Sequence, residues 1–276
     1  MIPMQSNQLF VPLVSVITPV FQGSKWLLGL FKCIDQQSFT EFEHIIIDDC
    51  SSDSEWNAIN LIALGRKNIR FIRLTTNGGP AAARNEGIRA SNGRYIAFLD
   101  VDDVWLPSNL ATQVQYMQRS GVAFSFHDYC HLSSNGQLIG DPISGADVLD
   151  FRAHHIQRGT GGCLSVMIDK EQTGLFEFPM VEKKFPEDFL AWSLLIDRGH
   201  LGYRIPEVLG LYRIHDGNRS GNKFKVVMSV LETYVVLKKI PLHKALAWWV
   251  QYCVSSLLQD KKAKPHKTIK KDMLHD

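Results

Sequence analysis

Only five cysteines (Cys33, Cys50, Cys130, Cys163 and Cys253) occur in 276 residues, an odd number, widely spaced and without a CxxC pair. A disulfide framework and a thiolate metal site are both disfavoured, and a reducing compartment is the simpler reading. Long apolar runs are missing too: no uncharged stretch approaches the ~20 residues that span a bilayer. The opening MIPMQSNQLFVPL has no basic region followed by an apolar core, so no signal peptide is expected and the expected location is the cytoplasm. Net charge is only +2, which argues against a general nucleic-acid binder.

What is present is enough apolar material, 45% of the residues, to bury a substantial core. Charge is uneven: from Lys238 onward nine lysines stand against Asp260, Asp272 and Asp276, leaving the rest slightly acidic. A local basic surface of this kind suits an anionic lipid face.

Along the first half, short runs rich in branched residues alternate with helical patterns. VSVIT (14–18), EHIII (43–47), IRFIRL (69–74) and RYIAFL (94–99) are strand-like, and helices are expected near 24–36, 54–64 and 80–90, the last opened by Pro80. Repeated β-α-β spacing implies an α/β fold whose parallel sheet is covered on both faces, with ligands beyond the carboxyl ends of the strands. Two of those ends are strongly acidic, IIIDDCSSD after the second strand and FLDVDDVW after the fourth. Clustered carboxylates resist burial unless a cation or water compensates them. The Asp100-Val101-Asp102 spacing suits a hard divalent cation that shares its shell with phosphate oxygens; a solvated acidic turn is the plainer alternative.

VSVITPVFQG, IIIDDCSSD, NGGPAAARNEGIRASNGRYIAFLDVDD, PEDFLAWSLL and YRIHDGNRS occur in an order and spacing that resembles the family 2 inverting glycosyltransferases with the GT-A fold. The resemblance runs from residue 14 to about 220 and implies a mostly parallel, Rossmann-like sheet with flanking helices. It also implies transfer of a sugar from a nucleotide-diphosphate donor, UDP-sugar favoured, to an acceptor hydroxyl with inversion, assisted by a divalent metal (Mn2+ or Mg2+). Thr18, Pro19 and Phe21 match the loop lining the nucleoside pocket, and Asp49 the position that hydrogen-bonds the base. Asp48 either assists or caps its loop. Cys50 and Ser52 replace residues of the family's usual DDGSTD, which puts the loop backbone in question. Gly79, at a glycine-rich helix start, offers N–H groups to phosphate, while Arg84 and Asn85 read better as supports. Asp102 takes the metal contact, Asp100 a ribose or secondary role, and Asp103 an exposed one. The resemblance implies that in the Glu-Asp pair Asp188 is the catalytic base and Glu187 an acceptor-orienting or structural neighbour; two acids complementing the start of a helix over 185–199 is the plainer reading. His215 is implied as a metal or diphosphate contact, with Arg213 and Arg219 beside the diphosphate. His127, His154 and His155 read as structural, and GTGGCLS (159–165) matches the acceptor floor.

After Gly221 the composition turns to helix-compatible segments broken at Pro241 and followed by QDKKAKPHKTIKKD. The expected division is a catalytic domain over 1–221 and a helical, basic extension over 222–276. Trp248, Trp249 and Tyr252 beside the lysines suit either an interfacial helix on a membrane or a cap on the catalytic domain. The function expected is an inverting glycosyltransferase of bacterial surface polysaccharide or lipid-linked oligosaccharide synthesis, either free in the cytoplasm or peripheral on the inner face of the cytoplasmic membrane. Its expected partners are a nucleotide-sugar donor and a saccharide or lipid-linked saccharide acceptor, with no nucleic acid. An inactive sugar-nucleotide-binding scaffold is the alternative. A nucleotidyltransferase would carry a glycine-rich, basic phosphate loop where this chain has TPVFQGSKW.

Overall fold

The computed structural model describes residues 11–66, 69–156, 162–182, 185–215 and 223–262. Strands β1 (Val14–Val20), β2 (Phe42–Asp48), β3 (Ile69–Arg73) and β4 (Tyr95–Phe98) alternate with helices α1 (Leu27–Asp35), α2 (Asp53–Ala63) and α3 (Gly79–Ala90). They pair in parallel in the order β3-β2-β1-β4. The period-2 pattern explains why both faces are covered. Val14, Val16, Ile46 and Ala97 point to one side, onto Leu27, Leu30, Phe31 and Ile34, which recur at helical spacing on α1. Ile17, Ile96 and Phe98 point to the other. Gly87 of α3 rides directly over Ile17, where an added Cβ would come within 2.4 Å of that side chain. The expected helix at 24–36 opens instead as a 3-10 turn over Ser24–Trp26, because the Ser24 N–H donates to Glu55 of α2 at 2.9 Å and fixes the entry angle.

Beyond β4 the sheet becomes mixed. The remaining strands are β5 (Val104–Trp105), β6 (Phe124–Ser133), β7 (Leu138–Ile143), β8 (Val148–Leu149), β9 (Val166–Asp169) and β10 (Gly202–Ile214). The order continues β4-β9-β6-β10-β5, with β9 antiparallel to both neighbours and β10 parallel to β6. Helix α4 (Asn109–Ser120) joins α1 on the first face, capped by Gly121 at φ 69°. Helices α5 (Phe151–Ile156), α6 (Lys170–Thr173) and α7 (Glu187–Asp197) follow, with Trp192 of α7 wedged against Phe98, Phe124 and Phe178.

Helices α8 (Lys223–Glu232) and α9 (Leu242–Lys262) form the carboxyl-terminal part, linked by a π-helical turn. The expected domain boundary, 221/222, lies outside the described residues, as does the lysine run beyond Lys262. The aromatic residues considered for a lipid interface face inward instead. Trp248 meets Phe151 and Tyr234 edge-on at 5.2 and 6.0 Å, Tyr252 is buried, and Trp249 packs partly buried in the same cluster. The Tyr234 hydroxyl donates to the His155 carbonyl, and the His154 ring bonds the Phe189 carbonyl at 2.8 Å. Burial pushes His154 down to about 4 and His155 down to about 2, so both are neutral structural groups.

Candidate active site

Three acidic or glycine-rich segments meet at the carboxyl ends of β1, β2 and β4. Pro19 is partly buried near the end of β1, and Phe21, one residue past the strand, is 54% exposed. Thr18 alternates inward: it is sealed, and its hydroxyl pairs with the His44 ring at 2.8 Å. That corrects the expectation that Thr18 lines the pocket, since the side chain is enclosed and its hydroxyl already bonded within the sheet layer.

Asp48 is fully enclosed, accepts the Ser51 N–H and pairs with Arg73 at 3.3 Å, which matches the loop-cap alternative. The two oxygens of Asp49 accept the N–H groups of Gly78 and Gly79, each at 2.8 Å. The expectation for Gly79 is corrected here: the N–H groups foreseen for phosphate hold a carboxylate of the chain itself, placed where the α3 dipole favours negative charge. Gly79 sits at φ 82° and Cys50 at φ 61°. The position occupied by glycine in the family pattern therefore keeps its left-handed conformation, at a cost of roughly 1–2 kcal/mol for a residue with a Cβ.

Arg84 ties Asp100 of the acidic loop to Glu187, the first acid of the 187–188 pair. From α3 it donates to Asp100 at 2.7 Å and to Glu187 at 3.2 Å, and lies 5.3 Å over the Phe178 ring. It is 4% exposed, so its charge is stabilised by the carboxylates rather than by water. Asn85 beside it makes a two-point bond to the Phe178 backbone. Both side chains are thus committed to contacts within the chain. Arg84→Met should lower unfolding free energy by about 3 kcal/mol, because two carboxylates lose their cation. Arg84→Lys should recover only part, lacking the planar fork. Urea denaturation of the three proteins measures this.

Asp188 opens α7 beside Glu187, one oxygen accepting the Phe189 N–H at 2.7 Å. Burial first, then the neighbouring Glu187, pushes its carboxyl up to about 6, while Arg84 pulls the other way. An acid so tuned is deprotonated at neutral pH yet basic enough to accept a proton.

Asp103 is buried rather than exposed, correcting that expectation. It accepts the Arg213 N–H at 2.9 Å, and burial holds its carboxyl well above the usual range. Arg213 Nε donates to the Asp102 carbonyl at 2.8 Å, so this side chain braces the acidic loop. His215 Nε2 lies 2.8 Å from Asp102 Oδ2. Trp26 was not foreseen: it stacks on His215 at 5.3 Å and lies 5.2 Å beneath the Arg213 guanidinium. Its only local signal was an aromatic residue in the loop after β1. Arg219 lies outside the described residues.

Asp102 and His215 are the residues that could hold a divalent ion. Their near atoms are 2.8 Å apart, close to the ~3 Å between adjacent ligands on an octahedral ion of the Mg2+ kind. Burial, and next Asp100, raise the Asp102 carboxyl, while the His215 contact pulls the other way. No group of three or more His, Cys, Asp or Glu ligands occurs among the described residues. Phosphate oxygens and water would have to complete the shell of an ion held by Asp102 and His215.

Residues 15–137 match the model of glycosyl transferase family 2. The chain is 32% identical over 246 residues, 89% of its length, to a protein named for teichuronic acid biosynthesis, the glycosyltransferase TuaG of Bacillus subtilis (strain 168), and covers 96% of it. It is 29% identical to the Escherichia coli UDP-Glc:alpha-D-GlcNAc-diphosphoundecaprenol beta-1,3-glucosyltransferase WfaP, over 90% of this chain and 95% of that one. Among solved structures, S. aureus TarS 1–349 in complex with UDP-GlcNAc superposes with a TM-score of 0.64 at 18% identity, over 89% of this chain and 72% of that one. The mannosyltransferase PcManGT from Pyrobaculum calidifontis, in complex with GDP-Man and Mn2+, gives 0.63 at 14% identity, over 94% and 77%.

Proposed function

The chain belongs to glycosyl transferase family 2, and from that premise we propose an inverting transfer of a sugar from a UDP-sugar to a hydroxyl of a lipid-linked saccharide in bacterial surface polysaccharide synthesis. The observation that carries the proposal is the arrangement around Arg84. One buried cation joins Asp100, on the acidic loop, to Glu187, next to a carboxyl raised to about 6 at Asp188. Donor-side acids and a proton acceptor are thereby tied together. The relatives support the donor and acceptor classes, since WfaP is named for a UDP-Glc donor and a diphosphoundecaprenol-linked acceptor.

In this reading Phe21 stacks on the base with Pro19 beside it. Asp49 contributes through the second lone pairs of its oxygens, Asp100 meets the ribose, and Glu187 orients the acceptor. Thr18, Asp48, Gly79 and Arg213 act one step removed, as the supports of that pocket. Asp188 removes the acceptor O–H proton as the oxygen attacks the anomeric carbon opposite the diphosphate. The bond to the phosphate oxygen breaks, and its electron pair leaves with the nucleoside diphosphate. Asp102 and His215 would hold Mn2+ or Mg2+, which supplies charge neutralisation at the leaving diphosphate.

Trp26 is then the plate that fixes the His215 ring. Trp26→Ala should weaken Mn2+ binding by roughly 10–100-fold, the usual effect of removing a group that orients a ligand, and Trp26→Phe should restore most of it. Titration calorimetry with the metal and UDP checks both. The function itself is tested by release of nucleoside diphosphate from a panel of sugar nucleotides, with and without divalent metal. Metal-dependent release from UDP-sugars is expected; no release from any donor would favour the inactive scaffold.

A further inference from the structure

The outer side of α9 is apolar and uncovered. Leu242, Leu246, Val250 and Val254 recur every four residues and are 58, 42, 52 and 49% exposed, so they form one stripe along the helix. The opposite side, Ala245, Trp248 and Tyr252, is already spent on Tyr234 and α5. With only one side packed, a helix this apolar needs a second partner.

We infer that this stripe docks the protein on an anionic lipid surface, with α9 lying in the plane of the headgroups. Charge selects lipid over a second copy of the chain. From residue 233 to 259 there is no acid, while Lys239 and Lys244 stand near the start of the helix, Lys238 being paired with Asp197. From the last two residues of the helix onward, positions 261 to 271 of the sequence bring six lysines without an acid. Two copies pairing through the stripe would set basic ends against basic ends in either direction, whereas anionic headgroups neutralise both. No helix among the described residues is long and apolar enough to cross a membrane, so the helix rests on the surface.

The inner face of α9 belongs to the cluster that contains Phe189, next in sequence to Asp188. Lipid at the outer face would lie about one helix diameter, ~10 Å, from that cluster. This suits an acceptor carried on a membrane lipid. That consequence rests on the catalytic reading; the docking itself does not, and it is measured without substrate.

The test is sedimentation of the full chain with phosphatidylcholine vesicles, with and without phosphatidylglycerol, at low and high salt. Binding to the anionic vesicles at low salt is expected, weaker by about tenfold or more in high salt or on neutral lipid. Leu246→Asp with Val250→Asp should weaken it by about tenfold or more, because two apolar side chains at the contact become charged. Circular dichroism should show that pair folded, both positions being exposed; Leu246→Gln with Val250→Gln repeats the test with a milder change and should also weaken binding. The inference is overturned if the full chain ignores anionic vesicles at low salt, or if folded stripe variants bind as well as the parent. It is overturned equally if the chain forms dimers that those variants abolish.

Discussion

Asp188→Asn is expected to lower turnover by ~10²–10⁴-fold while leaving donor affinity nearly unchanged, because the amide keeps the shape of the side chain but cannot take the acceptor proton. Two further readings separate this from simple damage. The parent's activity should fall as pH drops through about 6, where the raised Asp188 carboxyl takes up its proton; the residual activity of the variant should lack that limb. Stability should move the other way. A carboxyl whose folded pKa lies above the ordinary 3.8 costs stability when both folded and unfolded forms are ionised. Asp188→Asn should therefore be more stable than the parent at neutral pH, by about 1 kcal/mol after discounting for a half-buried side chain. The gain should fade between about 6 and 3.8. Glu187→Gln provides the control. If it abolishes turnover while Asp188→Asn keeps its rate, the roles of the pair are reversed.

The second large effect is expected at the acidic loop. Asp102→Asn replaces a charged metal ligand by a neutral amide at a partly exposed position, so transfer should fall by ~10²-fold or more with the thermal midpoint nearly unchanged. The amide can still hydrogen-bond His215, so the loop has no cause to rearrange. Mn2+ binding followed by electron paramagnetic resonance should weaken in parallel. Unchanged activity in this variant, or in the parent under excess chelator, contradicts a metal-dependent mechanism.

The first four strands were legible because branched residues alternate in short runs between turn signals, and local period is what a sequence displays. The Asp100-Val101-Asp102 spacing left a cation site and a solvated turn both open, and Glu187 and Asp188 drew a role only from the family resemblance, since acidic turns and acidic helix starts are common on their own. The contacts that decide their chemistry span long distances in the chain. Arg84 meets Glu187 across 103 positions, and Arg213 meets Asp103 across 110. No local pattern marks such pairs, and for the same reason Trp26 went unseen beneath His215.

Direction was equally hidden. Thr18 reads like its neighbours until β1 fixes which side chains turn inward, and the glycine N–H groups at α3 looked available until Asp49 filled the helix terminus. The same holds for α9. Its tryptophans and its aliphatic stripe are both apolar in sequence, and only packing against Phe151 and Tyr234 separates the inner side from the outer.

The central claim, transfer with inversion at a base-tuned carboxylate, is tested most directly by the anomeric configuration of the product. With whichever α-linked sugar nucleotide gives metal-dependent diphosphate release, proton nuclear magnetic resonance of the newly formed sugar should show the β anomer first. Asp188→Asn should suppress its appearance. An α product formed at the parent's rate would contradict the account.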